Sequence, residues 1–263
     1  MSSQNNVLTE TKAQEEAVSD ISTYLNKVKE VYQGHKTLWF RGQSVEVDLL
    51  PSIYRNKCND KYERTFYNEF KAKAVPYLDK QPRTYFEWLF IMQHYGVPTR
   101  LLDWTIDPLI ALAFALFYRR EKHADRNPIV YCLNPITLNI PFTRKAEIPV
   151  DTIPNIEIKE IYPEYGEDSR GHIERPIAVY GSLNNARIIA QKGVFTLFPK
   201  NNSTAINSAP GSEEYLFKIN IQKESVSEMI NDLYKFGIDE LGLYPYLDSI
   251  GLRIKREYKE LFS

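Results

Sequence analysis

Gln93-His94-Tyr95-Gly96-Val97-Pro98-Thr99-Arg100-Leu101-Leu102-Asp103-Trp104-Thr105, continuing through Ile106 and Asp107 into Pro108-Leu109-Ile110-Ala111-Leu112-Ala113-Phe114-Ala115, is the stretch on which the fold of this chain turns. The residues that lead into it, TYFEWLFIMQHY from Thr84 to Tyr95, are too apolar all round for a surface helix, so they predict a buried one. Gly96 and Pro98 stop it. Arg100, Asp103 and Thr105 then flank Leu101, Leu102 and Trp104, so the segment alternates between anchoring in a core and presenting polar groups. Asp107 as N-cap and Pro108 in the first turn open the next helix, LIALAFALFY, whose composition again predicts burial.

Working outward, Val18, Ile21, Leu25, Val28 and Val31 recur at the spacing of an amphipathic helix from Thr11 to Gln33, with Gly34 as its stop. Thr37-Leu38-Trp39-Phe40-Arg41-Gly42 reads as a short strand closed by a glycine. A helix is expected from about Asp60 to Leu78, with Tyr62, Phe66, Phe70 and Ala74 on one stripe. A strand is expected from Pro128 to Leu133. The prolines and charges from Thr143 to Arg175 lack periodicity and predict a long surface excursion, a candidate lid. Strands are expected at Ile177–Tyr180, Val194–Phe198 and Tyr215–Ile221, a polar loop at Asn201–Ser212, and helices at about Lys223–Phe236 and Tyr246–Phe262. Strands scattered among helices without strict alternation, and without an internal repeat, give an α+β class. The expectation is a single domain with a mixed central β-sheet flanked by helices: residues 37–263 form the domain, and residues 1–36 carry an N-terminal helix packing on its core.

The composition removes several classes of function. Hydrophobic residues at 43% and charged residues at 25% are the balance of a folded globular protein, and 263 residues bury a core without staples. A formal net charge of −1 provides no global basic field, so any nucleic-acid binding needs a local patch. Cys58 and Cys132 have no paired spacing and exclude a disulfide framework or a four-cysteine zinc site. His35, His94, His123 and His172 lie far apart, with no zinc-ligand spacing, so no metal is expected. Neither a P-loop, nor a dinucleotide fingerprint, nor a G-x-S-x-G elbow is present. The N-terminus lacks a signal-peptide pattern and no stretch reaches membrane-spanning length, which points to the cytoplasm and to no membrane partner.

Polar residues lodged in apolar segments are the local inconsistencies that tend to mark function. Arg41, set in LWFRG, offers a planar fork to a phosphate, carboxylate or ring carbonyl, or else bridges strands structurally. Gln93-His94-Tyr95 ends a buried helix at a wall, where a histidine is more often satisfied in the core than catalytic. Asp103 and Arg100 either present charge to a ligand or pair with each other. The stretch from Arg187 to Thr196, with Gln191 just ahead of a strand, is a third candidate and a weak signal alone.

Three blocks together resemble the FRG-domain family of bacteria and phages: FRGQ at 40–43, QHYGVPTRLLDWT at 93–105 followed by PLIALAFA at 108–115, and RIIAQKGVFTLF at 187–198. The resemblance runs from about Trp39 to beyond Tyr244 and includes GIDELGLYPYLDSIG. A more remote similarity is to ADP-ribosyltransferases, which carry three elements in this order. These are a strand with Arg or His beside glycine, a hydroxyl-bearing strand entering an Ala- and Phe-rich helix, and a strand with a catalytic Glu. Arg41-Gly42 resembles the first, Asp103-Trp104-Thr105 leading into Ala111–Ala115 the second, and Gln191-Lys192-Gly193-Val194-Phe195 falls where the third belongs. This similarity implies an ADP-ribosyltransferase-like split sheet and NAD as substrate. It also implies a protein or nucleic-acid target, a role as toxin or anti-phage effector, and a neutralising antitoxin as partner. The implied catalytic set is Arg41, Asp103, Gln191 and Glu240. The implied binding set is Phe40, Arg41, Gly42, Gln43, His94, Tyr95, Arg100, Trp104, Thr105 and Phe195, with Tyr95, Trp104 and Phe195 as stacking rings. Glutamine at 191 is a departure, because a neutral amide orients a ribose hydroxyl but does not stabilise the positive charge that grows as nicotinamide leaves. Either Asp103 or Glu240 supplies the carboxylate, or the chain is a non-catalytic nucleotide- or partner-binding module. A metal-dependent hydrolase or nuclease built on Asp103 and Glu240 is a weaker alternative.

Overall fold

A computed structural model describes residues 17–55, 60–169, 175–181, 185–258 and 261. In chain order the elements are α1 (Ile21–Tyr32), β1 (Trp39–Gln43), α2 (Ser52–Arg55), α3 (Glu63–Ala74), α4 (Tyr85–His94), β2 (Leu101–Thr105), α5 (Pro108–Phe117), β3 (Ile129–Leu133) and α6 (Pro135–Lys145). They continue with α7 (Tyr162–Tyr165), β4 (Ile177–Val179), α8 (Ala186–Ala190), β5 (Gly193–Leu197), β6 (Leu216–Asn220), α9 (Val226–Lys235), α10 (Glu240–Leu243) and α11 (Leu247–Glu257). The class is α+β. Helix starts follow the side chains that can accept the first free backbone N–H groups. The Thr84 side chain accepts from Glu87 N, Asp107 from Leu109 N and Ile110 N, and Asn134 from Ile136 N and Thr137 N.

The six strands form one sheet in the order β4-β5-β2-β1-β3-β6. The expectation of a mixed sheet is corrected: every pairing between these strands is antiparallel. Parallel pairing is confined to isolated bridges, Val18 with Ile221 and Asn155 with Tyr180. The register is uneven. β1 runs beside β3 from Trp39↔Leu133 to Gln43↔Ile129, and β2 beside β5 from Leu101↔Leu197 to Thr105↔Gly193, whereas β1 and β2 share only Phe40↔Thr105.

The packing layers explain why β1 and β2 part. On one face, a cluster containing Phe40, Val130, Cys132 and Ile219 covers the β1-β3-β6 half with Tyr24 of α1, Ala111 and Ala115 of α5 and Met229 of α9. A separate cluster covers the β2-β5-β4 half, joining Leu101, Phe195, Leu197 and Val179 to Phe86, Leu89 and Phe90 of α4. On the other face one continuous cluster, with Trp39, Leu102, Trp104, Tyr131, Val194 and Phe198, spans both halves. The sheet is therefore sealed on one side, and on the other it carries two helical layers with a seam between them. Gly42 sets how closely α5 lies on β1: a Cβ there would meet Ala111 O at 1.8 Å and Ala115 N at 2.6 Å, so no side chain fits.

One further expectation is revised. Residues 143–169 are not simply a surface excursion, because Thr143 is buried in α6 and Ile156, Ile161 and Tyr165 are buried in the core. Prolines open or interrupt these short elements and hide their periodicity, Pro141 lying inside α6 and Pro163 opening α7. Residues 170–174 of the expected excursion lie outside the described residues. The N-terminal helix is described from Ile21, and the expected portion from Thr11 to Glu16 also lies outside them. No described helix is long and apolar enough to cross a membrane.

Candidate functional site

The seam opens into a cleft of about 300 Å³ lined by Phe40, Arg41, Gly42, Asp103, Trp104, Thr105, Phe114, Tyr118, Arg187, Gln191 and Tyr244. A smaller lobe of about 60 Å³ adjoins it. This lobe shares Asp103, Trp104, Arg187 and Gln191 with the cleft and adds Gln93, His94, Asn185 and Gly193. Its position follows from the register: beyond Phe40↔Thr105 the strands diverge, leaving β2 an edge whose backbone groups need other partners.

Arg41 supplies one. Its Nη1 donates to the backbone oxygen of Asp103 at 2.5 Å, so the guanidinium spans the gap that a strand ladder would otherwise fill. The Arg41 Nε is buried without a hydrogen-bond partner. Burial pulls the guanidinium down to about 10, opposed by the Asp103 charge and reinforced by Arg55, so it remains a cation near neutrality with capacity to spare for an anion. The Asp103 carboxylate is exposed and is oriented from the other side. Gln93 Nε2 donates to Asp103 Oδ1 at 2.7 Å, and Gln93 Oε1 accepts from Thr99 Oγ1, which fixes which way round the amide sits. Arg41 and Asp103 thus share one solvent-open hollow. Asp103 is the only carboxylate among its described lining residues.

Of the other implied residues, Gln191 lines both lobes and its Nε2 donates to Leu243 O at 3.0 Å, tying α8 to α10. His94 lines the smaller lobe, where its Nε2 meets Tyr246 Oη at 3.1 Å; burial first, and Arg187 next, hold its pKa below the ordinary histidine value. Gly42 lines the cleft and gives the clearance described above, while Phe40 forms its apolar floor. Thr105 is buried, and its hydroxyl accepts from Asp107 N at 3.0 Å, serving the turn into α5.

Several positions are corrected. Arg100 is completely buried away from the cleft, with Nε on Glu63 Oε2 at 2.7 Å, Nη1 on Phe198 O at 2.7 Å and Nη2 on Tyr165 O at 2.8 Å. It pairs with Glu63, not with Asp103, because in extended chain residues three apart leave the sheet on opposite faces, so the two side chains point away from each other. Glu240 does not line the cleft; its carboxylate is committed to Tyr234 Oη and Arg256. Trp104 lines both lobes and Phe195 the smaller one, but each ring is almost wholly buried and reaches the space only by an edge. The Trp104 Nε1 donates to Thr196 Oγ1 at 3.0 Å, and Phe195 packs edge-on to Phe90 with centroids 4.7 Å apart. Tyr95 is exposed on a different cavity, an apolar groove of about 540 Å³ with Phe66, Phe70, Tyr77 and Val97. Gln43 accepts from Val47 N at the end of β1 and does not line the cleft.

Sequence reasoning missed the far wall of the cleft. Tyr118 ends α5, Tyr244 follows α10, and Arg187, in α8, lies with its guanidinium carbon 4.8 Å from the centroid of the Tyr244 ring. The Tyr244 phenol is pushed above its usual range by burial, against the pull of Arg187. The only available signal was the presence of Arg187 and Tyr244 within the two C-terminal blocks, since neither residue interrupts a periodic pattern.

Comparison with protein-family models matches residues 36–124 to a model described as FRG domain. The matched segment holds β1, α4, β2 and α5, and so one wall of the cleft with Arg41 and Asp103; α8, β5 and α10 lie outside it. Comparison with curated proteins finds no match, and comparison with solved structures finds none either.

Proposed function

We propose that the FRG domain carried by residues 36–124, completed by the C-terminal wall of its cleft, binds NAD and transfers its ADP-ribosyl group to a macromolecule, as a toxin or anti-phage effector does. The observation that carries this reading is the meeting of Arg41 and Asp103 at one opening between parted strands, with a single carboxylate facing a cationic cleft. The partial separation of the sheet at Phe40↔Thr105 and the run of β2 into the Ala- and Phe-rich α5 support it.

In such a transfer the bond from the ribose C1′ to the nicotinamide nitrogen breaks and its electron pair departs with nicotinamide. The C1′ then bonds to a nucleophilic atom of the target, whose proton passes to a base. A fixed carboxylate beside the C1′ stabilises the positive charge that develops there, and such preorganised groups are worth ~10²–10³ in rate. Asp103, held in place by Gln93, takes this part in place of the missing glutamate, and Gln191 is positioned to bind a ribose hydroxyl. Arg41 holds the phosphate-bearing side of the substrate. Incubating the chain with labelled NAD and cell lysate tests the proposal. Label transfer should be lost in Asp103→Asn and Arg41→Ala, and transfer indifferent to both changes would refute it. The second reading, a nucleotide-binding module without turnover, is favoured by Gln191 standing where Glu is expected. Tight calorimetric binding of NAD without nicotinamide release would establish it.

A further inference from the structure

The far wall of the cleft carries a cation whose purpose the fold does not explain. Among the described residues Arg187 forms no ion pair; Glu240, in the neighbouring α10, is held by Arg256 and Tyr234, and Asp107 by Lys192. Its guanidinium rests on the Tyr244 ring at 4.8 Å, an arrangement that holds a planar cation in a set direction without neutralising it. Tyr244 is itself fixed: its neighbour Leu243 is buried and accepts the Gln191 amide at 3.0 Å, while Tyr246 bonds His94. Arg187 therefore borders both lobes as a positioned charge outside any ion pair among the described residues.

Arg41 lines the same cleft, and its Nε is buried without a partner and its charge poorly solvated. Asp103 is the sole carboxylate lining the space between the two, and Gln93 already engages it. A cleft with two guanidiniums and one engaged carboxylate carries an excess of positive charge that an anionic ligand would balance, and two forks from different elements suit two linked anionic groups rather than one.

We propose that Arg187 and Arg41 form a two-sided clamp for a diphosphate, so that Arg187 is the residue by which the cleft selects ligands with two linked phosphates over single ones. This deepens the NAD reading above and rests on it for the identity of the ligand, since the bridging diphosphate is the part of a dinucleotide with that charge. The clamp itself is tested without a nucleotide.

Calorimetry of the full chain against inorganic pyrophosphate and inorganic phosphate is the direct measurement, with ADP-ribose and NAD as further arms. The wild type should bind pyrophosphate at least tenfold tighter than phosphate. Arg187→Met keeps a stem over Tyr244 but removes the charge, and should erase that preference and weaken ADP-ribose binding about tenfold or more; Arg187→Lys should restore part of both. Thermal unfolding of each variant close to the wild type shows that the loss is not one of folding. A wild type without preference for pyrophosphate, or an Arg187→Met variant that retains it, overturns the clamp. Pyrophosphate preference that depends on Arg187, together with no NAD binding or turnover, leaves the clamp standing and refutes the NAD reading instead.

Discussion

Removing the Arg100 side chain separates a structural arginine from a ligand-binding one, because the two roles predict opposite readouts. Arg100 and Glu63 have side-chain exposures of 0% and 1%, and Arg100 also donates to the carbonyl oxygens of Phe198 and Tyr165. Arg100→Met leaves the Glu63 charge buried and unpaired and orphans both carbonyls. Breaking a buried pair from one side costs about 3–5 kcal/mol, and lost carbonyl bonds add to it without summing simply. For a domain of this size each kcal/mol lowers the melting temperature by roughly 2–4 °C, so a fall of about 6–20 °C is expected. The double variant Arg100→Met with Glu63→Leu removes both charges and should recover a good part of the loss, a coupling that a double-mutant cycle reads directly. Differential scanning calorimetry gives the melting temperatures, and NAD or ADP-ribose calorimetry below them gives the affinity. If Arg100→Met melts within a degree or two of the wild type while losing ligand affinity, the assignment of Arg100 to the core is refuted.

Other substitutions probe the cleft and its supports. Asp103→Asn should reduce transfer by about 10²–10³ while NAD affinity changes severalfold at most, as expected for a group acting on the charge of the transition state; equal losses in rate and affinity would place Asp103 in binding alone. Gly42→Ala drives a Cβ to 1.8 Å from Ala111 O, so α5 must shift, and a loss of about 1–3 kcal/mol or more in urea denaturation is expected. Asp107→Ala removes the acceptor for Leu109 N and Ile110 N and should cost about 1 kcal/mol of stability, measured by thermal melts.

The sequence made the apolar elements legible because their patterns are local. The buried helices α4 and α5, the cap at Asp107 and strands β1 and β3 all follow from residues within one or two turns of each other. α6 and α7 were hidden because Pro141 and Pro163 mask their short periodicity, and because what buries Ile156 and Ile161 is contact with distant elements. At the site, Arg41, Gly42, Asp103 and Gln191 stood out as polar or small residues in apolar runs. Arg100 stood out in the same way, and nothing local distinguishes an arginine that meets Glu63, 37 positions away, from one that meets a ligand. Arg187 and Tyr244 lay within quoted blocks but without a role, for the converse reason: their meaning lies in facing each other, which only the packing of α8 against α10 creates.

The seam between the two helical layers has a bearing on how this chain can change over generations. The hollow is an unclosed join rather than a space carved from the hydrophobic interior, and its outer border is drawn by Tyr118, Arg187 and Tyr244, none of them fully enclosed. Replacing these three alters what the hollow accepts while leaving the fully buried members of the three apolar clusters in place, although Tyr244 also packs against the margin of one of them. Ligand preference can therefore drift rapidly among descendants that share one architecture, with Phe40-Arg41-Gly42 as the part that cannot follow: one residue fills, the next spans the gap, and the third leaves room for a helix.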